Sequence, residues 1–129
     1  MAQGKAVVIT TEGEKSVVTF TIGDSYKILS DTVGGMIECV RLSENEDLWC
    51  NDNGIAEGKP LNLIASAIYS ETFNAGNPIL GNVIITGGAD EEGETLGLSD
   101  ELVEKWMAYS KQAVPASYIT NPIYSSNYF

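Results

Sequence analysis

The sequence contains no histidine, which removes the commonest general base and the commonest nitrogen ligand for a metal. Serine–histidine and cysteine–histidine nucleophiles are excluded with it. Cys39 and Cys50 have no CxxC partner and no imidazole to join them, so they cannot complete an ordinary structural zinc site. Gly34-Gly35 and Gly87-Gly88 lack the GxGxxG and GxxxxGKS/T frames of phosphate-binding loops and read as tight turns. The run Asp90-Glu91-Glu92-Gly93-Glu94 offers oxygens to a hard cation, but the twelve-residue calcium pattern is missing and a solvated charge run is the better reading. Carboxylates are plentiful, yet no two are set apart by apolar neighbours as an acid–base pair would be. No catalytic residue, no metal site and no cofactor is expected. What the residue types favour is recognition.

The richest segment for recognition is Met36–Leu42 with Asp47–Asn51, which reads as a hairpin around the polar Ser43-Glu44-Asn45-Glu46. With those four residues as the loop, Cys39 falls opposite Cys50, at a Cα separation of about 4.5 to 5.5 Å that admits a disulfide. Two reduced, buried thiols are the preferred reading for a cytoplasmic chain. The same register gives one face to Ile37, Cys39, Leu48 and Cys50, expected to be core, and the other to Glu38, Val40, Trp49 and Asn51. On that second face the Trp49 ring beside a carboxylate and an amide could stack on a planar ligand and bond its edge. The alternative is that Trp49 covers the core beneath a helix. Arg41, the only arginine, and Lys59 could each hold a phosphate or pair with neighbouring acids.

The elements that must position these residues follow from periodicity. Ala6–Thr11 and Ser16–Ile22 read as a first hairpin, with Val18, Phe20 and Ile22 on its buried face. Ser25–Val33 reads as a helix with Tyr26, Leu29 and Val33 inward and Gly34 as a left-handed cap. After the turn residues Asn51-Asp52-Asn53-Gly54, a helix starting at Pro60 carries the stripe Leu61, Ile64, Ala65, Ile68 and Tyr69. Leu80–Thr86 is expected as a central strand. Ser99 caps a last helix with Asp100 and Glu101 in its first turn and Leu102, Val103, Trp106 and Met107 inward. Hairpins mixed with two helical crossings predict an α+β single domain over residues 1–113, a mainly antiparallel sheet with two or three packed helices.

The chain of 129 residues carries a formal net charge of -11, spread unevenly. Residues 1–42 hold five acids and four bases, and residues 43–104 hold thirteen acids and one base, Lys59. So acidic a middle is a poor match for direct binding of nucleic acid. No apolar run approaches the length of a membrane span, and the N-terminus does not read as a signal peptide, which together predict a cytoplasmic location. Residues 114–129 contain no charge but Tyr118, Tyr124, Tyr128 and Phe129. Such a tail is expected to pack, either on its own domain or on a second subunit of a homo-oligomer.

Tyr26-Lys27, Val33-Gly34-Gly35, Ile37-Glu38, Cys50-Asn51-Asp52-Asn53-Gly54, Gly58, Pro60-Leu61-Asn62, Gly81 and Gly97-Leu98-Ser99 occur in an order and spacing that resembles a domain family of unknown function. Its members are small proteins of bacteriophages, plasmids and integrative elements. The resemblance spans about residues 24–109 and leaves out the first hairpin and the tail. It brings no catalytic residues, but it implies an accessory role against host defence. Three functions follow as expectations. The first is a sponge that sequesters a small anionic nucleotide signal uncleaved, in a pocket lined by Arg41, Trp49, Asn51, Lys59 and Asn62. The second is an acidic DNA mimic or protein-binding inhibitor of a host defence protein. The third is a histidine-free enzyme that cleaves such a nucleotide.

Overall fold

A computed structural model describes residues 2–109. Five strands, β1 (Gln3–Ile9), β2 (Lys15–Thr21), β3 (Ile37–Ser43), β4 (Glu46–Asn51) and β5 (Val83–Thr86), form one sheet in the order β2-β1-β5-β4-β3, with every pairing antiparallel. Three helices, α1 (Tyr26–Val33), α2 (Leu63–Phe73) and α3 (Asp100–Ala108), complete an α+β fold. Among the described residues, no helix is long and apolar enough to cross a membrane. The tail from residue 114 lies outside the described residues.

Both faces of the sheet are covered. Because side chains alternate along a strand, Val7, Ile9, Leu48, Val83 and Ile85 point to one side. There they pack with Ile64, Ala65 and Ile68 of α2 and Trp106 of α3. Ala6, Phe20 and Ile84 point to the other side and meet Leu29 of α1, with Ile37 and Trp49 at the margin. The central strand β5 is therefore buried on both faces, which explains its unbroken Val-Ile-Ile-Thr. Full burial of residues such as Leu48 and Ile85 contributes about 1.5 to 3 kcal/mol each.

Local signals set the helix ends. Gly34 ends α1 at φ 76°, and its N–H bonds the Ser30 carbonyl. Tyr26, expected inward, is exposed, because α1 is short and turns Leu29 and Val33, with Ile28 beside them, toward the sheet. Ser99 Oγ accepts from the Leu102 N–H at the start of α3. At the other end Lys15 Nζ donates to the carbonyls of Met107 and Tyr109, placing a cation on the negative end of the helix. Lys105 also bonds the buried Glu46 carboxylate, tying α3 to the β3–β4 turn.

Three further expectations change. Helix α2 begins at Leu63 rather than Pro60, and strand β5 begins at Val83 rather than Leu80. The cause is shared: Asn62 N–H bonds the Ile79 carbonyl, Gly81 N–H bonds the Pro60 carbonyl, and Leu61 bridges Leu80, so both segments spend three residues pairing with each other. Gly81 at φ 86° then breaks the extended run.

The third change is the register of the second hairpin. Ser43 does lie opposite Glu46, but a bulge between Arg41 and Ser43 slips the rest by one residue, so Cys39 faces Trp49 and Glu38 faces Cys50. One slip exchanges the faces of a whole strand. Ile37, Cys39, Trp49 and Asn51 now share the α1 side, while Glu38, Val40, Leu48 and Cys50 share the α2 side. The expected grouping of Ile37 and Cys39 with Leu48 and Cys50 is thus overturned. So is the opposition of the two cysteines: they are free, Cys39 exposed and Cys50 buried, on opposite faces of the hairpin.

Candidate functional site

The five residues expected to line one pocket do not meet. Arg41 is exposed at the bulge, its Nε 3.1 Å from Oδ1 of Asp47, whose side chain is 4% exposed. Trp49 belongs to the core beneath α1 and donates from Nε1 to Thr86 Oγ1 at 2.9 Å. Asn51 is buried and donates to the Val33 carbonyl and Glu57 Oε1, while its own oxygen accepts from Asn53 N–H. Asn62 is fully buried: it caps α2 through Ala65 N–H and donates to the Ile9 and Gly81 carbonyls. Lys59 is half-buried with Nζ 3.7 Å from Glu57, and its stem passes between Gly34 and Gly81, where an added Cβ would come within 2.9 Å of it.

Asn51, Lys59 and Asn62 thus gather at one end of the sheet, where the end of α1, residues 51–62 and residues 79–82 meet. There the two asparagines bond mainly to backbone, and Glu57 takes a bond from Asn51 and lies beside Lys59. Gly35 fits against the Asn51 amide and Gly54 against Leu80. Of the residues that carried the resemblance, Val33 to Gly35, Asn51, Gly54, Pro60 to Asn62 and Gly81 build this structural knot, while Glu38, Cys50, Asp52 and Asn53 line a space beside it.

That space is a groove of about 690 Å³ on the α2 side of the sheet. Its floor is Glu38, Val40 and Cys50, its end wall the turn Asp52 to Ala56, and its far wall Tyr69 and Phe73 of α2 with Ile79 and Leu80. Tyr69 and Phe73, one turn apart, place their ring centroids 4.6 Å from each other. Ile55 is 78% exposed and Phe73 43%, so apolar surface is presented to solvent at the mouth. Glu38 and Asp52 are the charged residues of the lining, which among the described residues has no lysine or arginine. Of the expected site residues only Asn51 borders it; Lys59 lines a separate cavity of about 290 Å³ with Thr11, Asp31 and Asn82. The legible signals for the groove were the Tyr69/Phe73 spacing and the Asn51–Gly54 turn.

Neither cysteine of the groove is an activated thiol. Cys50 Sγ is 3.9 Å from Glu38 Oε1, and burial first, then the Glu38 charge, push its thiol up to about 12. Partial desolvation by its neighbours, then the Asp47 charge, pushes the Cys39 thiol up to about 11 from 9.0, although the residue as a whole is exposed. A two-unit rise lowers the thiolate of Cys39 a hundredfold at neutral pH, and the higher basicity restores about tenfold in intrinsic reactivity. Cys39 is therefore expected to alkylate about tenfold more slowly than free cysteine at pH 7.5, at a rate that keeps rising beyond pH 9. Iodoacetamide kinetics read by intact mass would show this, with both thiols counted before and after mild oxidation. A plateau near pH 8.5, or a loss of two protons on oxidation, would contradict it.

Among the described residues, no group of three or more histidine, cysteine, aspartate or glutamate side chains is placed to hold a metal. Asp90 Oδ1 instead accepts from the Glu92 and Glu94 N–H groups of its own turn. The arrangement is suited to holding a ligand that has an apolar body and a positive charge.

No curated protein and no solved structure matches this chain. A family model does match, over residues 4–111, and so takes in the β1–β2 hairpin that the resemblance had left out. The chain belongs to the domain of unknown function family DUF3846.

Proposed function

We propose that this protein is a binding module that captures a cationic ligand with an apolar or aromatic body in the groove between α2 and the β3–β4 edge. The observation that carries this reading is the lining: Tyr69, Phe73 and Ile55 supply stacking and apolar area, while Glu38 and Asp52 supply charge without any opposing base. Pockets of this size commonly combine an apolar wall with a few polar groups that fix orientation. The acidic body of the protein adds a field that draws cations toward it. This reading develops the protein-binding inhibitor expected from the acidic middle, and the accessory role implied by the resemblance to mobile-element proteins is compatible with it.

Sequestration of an anionic nucleotide has less support. Arg41 is engaged by Asp47, Lys59 has Glu57 beside it, and neither lines the larger groove.

A thermal-shift comparison separates the two. At a hundredfold excess over Kd, a ligand stabilises by about 2.7 kcal/mol, on the order of 10 °C for a domain of this size. Phenethylguanidine is expected to raise Tm, cyclic dinucleotides and ADP-ribose to leave it unchanged, and the pair Glu38→Gln with Asp52→Asn to abolish the rise. The ligand should be recovered unaltered. A rise with a nucleotide and none with the guanidinium would overturn the reading in favour of the sponge.

A further inference from the structure

Among the described residues, strand β3 is an edge strand, with β4 as its only neighbour in the sheet. In an antiparallel ladder, residues alternate between those bonded to the partner and those whose N–H and C=O point away from it. The Asp52 N–H bonds the Met36 carbonyl in the same register as the strand pairing, so even-numbered residues of β3 bond β4. The backbone groups of Ile37, Cys39 and Arg41 therefore face the open edge. The bulge after Arg41 ends this flat stretch. Natural edges are commonly blunted by lysine and other charges, by proline, by bulges or by a covering loop. Residues 37–40 of β3 contain neither lysine nor proline, and the groove opens directly beside them, floored by the even-numbered Glu38 and Val40.

We infer that the groove's occupant is an extended, basic segment of a partner polypeptide that adds to the sheet as a sixth strand along β3. The inference rests on the groove reading above and specifies its partner. An added strand of about five residues, roughly 17 Å, would bond Ile37, Cys39 and Arg41 through its backbone. Its alternate side chains would then fall on the α2 side, one of them across from Glu38, where an arginine or lysine is the complementary choice. The apolar side chain two residues away would reach the Tyr69 and Phe73 wall. A second copy of this chain is the poorer occupant, because edge-to-edge pairing would bring Glu38 toward its own counterpart on two bodies of net charge -11. Strand β2, at the opposite edge, lines none of these cavities.

The probe is an acetylated, amidated seven-residue peptide with threonine at odd positions and arginine, valine and arginine at the even ones. The full chain is titrated with it, and with the same peptide N-methylated at alternate backbone amides, while amide exchange is followed by NMR. Binding should slow the Ile37, Cys39 and Arg41 amides at least tenfold, and N-methylation should weaken binding at least tenfold. Cys39→Pro, which removes an open-edge donor without touching the β4 ladder, should weaken it similarly with Tm little changed. Equal binding of the methylated peptide without protection of those amides sinks the added strand and leaves the groove reading intact. Binding of phenethylguanidine but not of the peptide does the same. Failure of both probes sinks both readings. A dimer in light scattering whose three amides are already protected without peptide assigns the edge to a second copy and overturns the inference.

Discussion

Replacing Gly97 by alanine is expected to destabilise the protein by about 3 kcal/mol, a loss on the order of 10 °C in Tm. An alanine Cβ at this position would stand 2.6 Å from both Gly4 Cα and Lys5 N, which are backbone atoms of β1 and cannot rotate aside. Gly87 meets the same strip from the other side, since a Cβ there would run into the Gly97 carbonyl. The close approach is fastened by hydrogen bonds: Leu98 N–H to the Lys5 carbonyl at 2.8 Å, Gly87 N–H to the Leu96 carbonyl at 2.8 Å and Leu96 N–H to the Gly88 carbonyl at 2.9 Å. Three lengths of backbone are packed where side chains have no room, and this is what delivers the chain to the start of α3. Gly97 has an ordinary φ, so the effect is contact and not backbone conformation. Gly76→Ala is the control. Nothing lies within 4 Å of a Cβ there, and the change should be neutral or stabilise by about 0.5 kcal/mol. Urea unfolding of the two variants decides the matter, and equal midpoints would refute the packing account.

Asn62→Ala is expected to cost a similar amount, about 3 kcal/mol, and to leave the groove's chemistry untouched. The loss has two parts. The α2 N-cap bond from Ala65 N–H disappears, worth about 1 kcal/mol, and the Ile9 and Gly81 carbonyls lose their donor in a site with no exposure. Asn62→Asp separates the parts, because it keeps an acceptor for Ala65 N–H but turns a carboxylate toward two carbonyl oxygens. It should be no more stable than the alanine variant. If Asn62 were instead a ligand residue, Asn62→Ala would bind poorly and unfold like the wild type. That result would return Asn62 to the nucleotide pocket and refute its placement as a structural joint.

Much of the element order was legible because it rests on short-range chemistry. Gly34 stops α1, Ser99 caps α3 with its acids in the first turn, and the Glu12–Lys15 turn joins the first two strands. The unbroken apolar run of β5 marked it as central, and it is the middle strand of five. Boundaries moved where two distant segments preferred each other to their own elements, as residues 60–62 and 79–81 do. The candidate site was less legible. Trp49 and Asn62 have residue types that suit a pocket, but their polar atoms find partners 37 and 53 residues away in sequence. No local pattern reports such partners. Tyr69 and Phe73 could be paired by helical spacing, but nothing near them in sequence shows that they would face Glu38.

What the sequence determined alone was composition and local order: the absence of histidine chemistry, an acidic middle, an α+β arrangement of hairpins and helices, and the caps that end them. These depend on residue type and on neighbours within a few positions. The tertiary structure decided which residues share a surface. A one-residue bulge exchanged the faces of β3 and separated the cysteines, and the packing of α2 over that face turned Glu38, Asp52, Tyr69 and Phe73 into one groove. A period of two is so short that a single extra residue reverses the outcome, and only the burial of both faces against different helices selects between the registers.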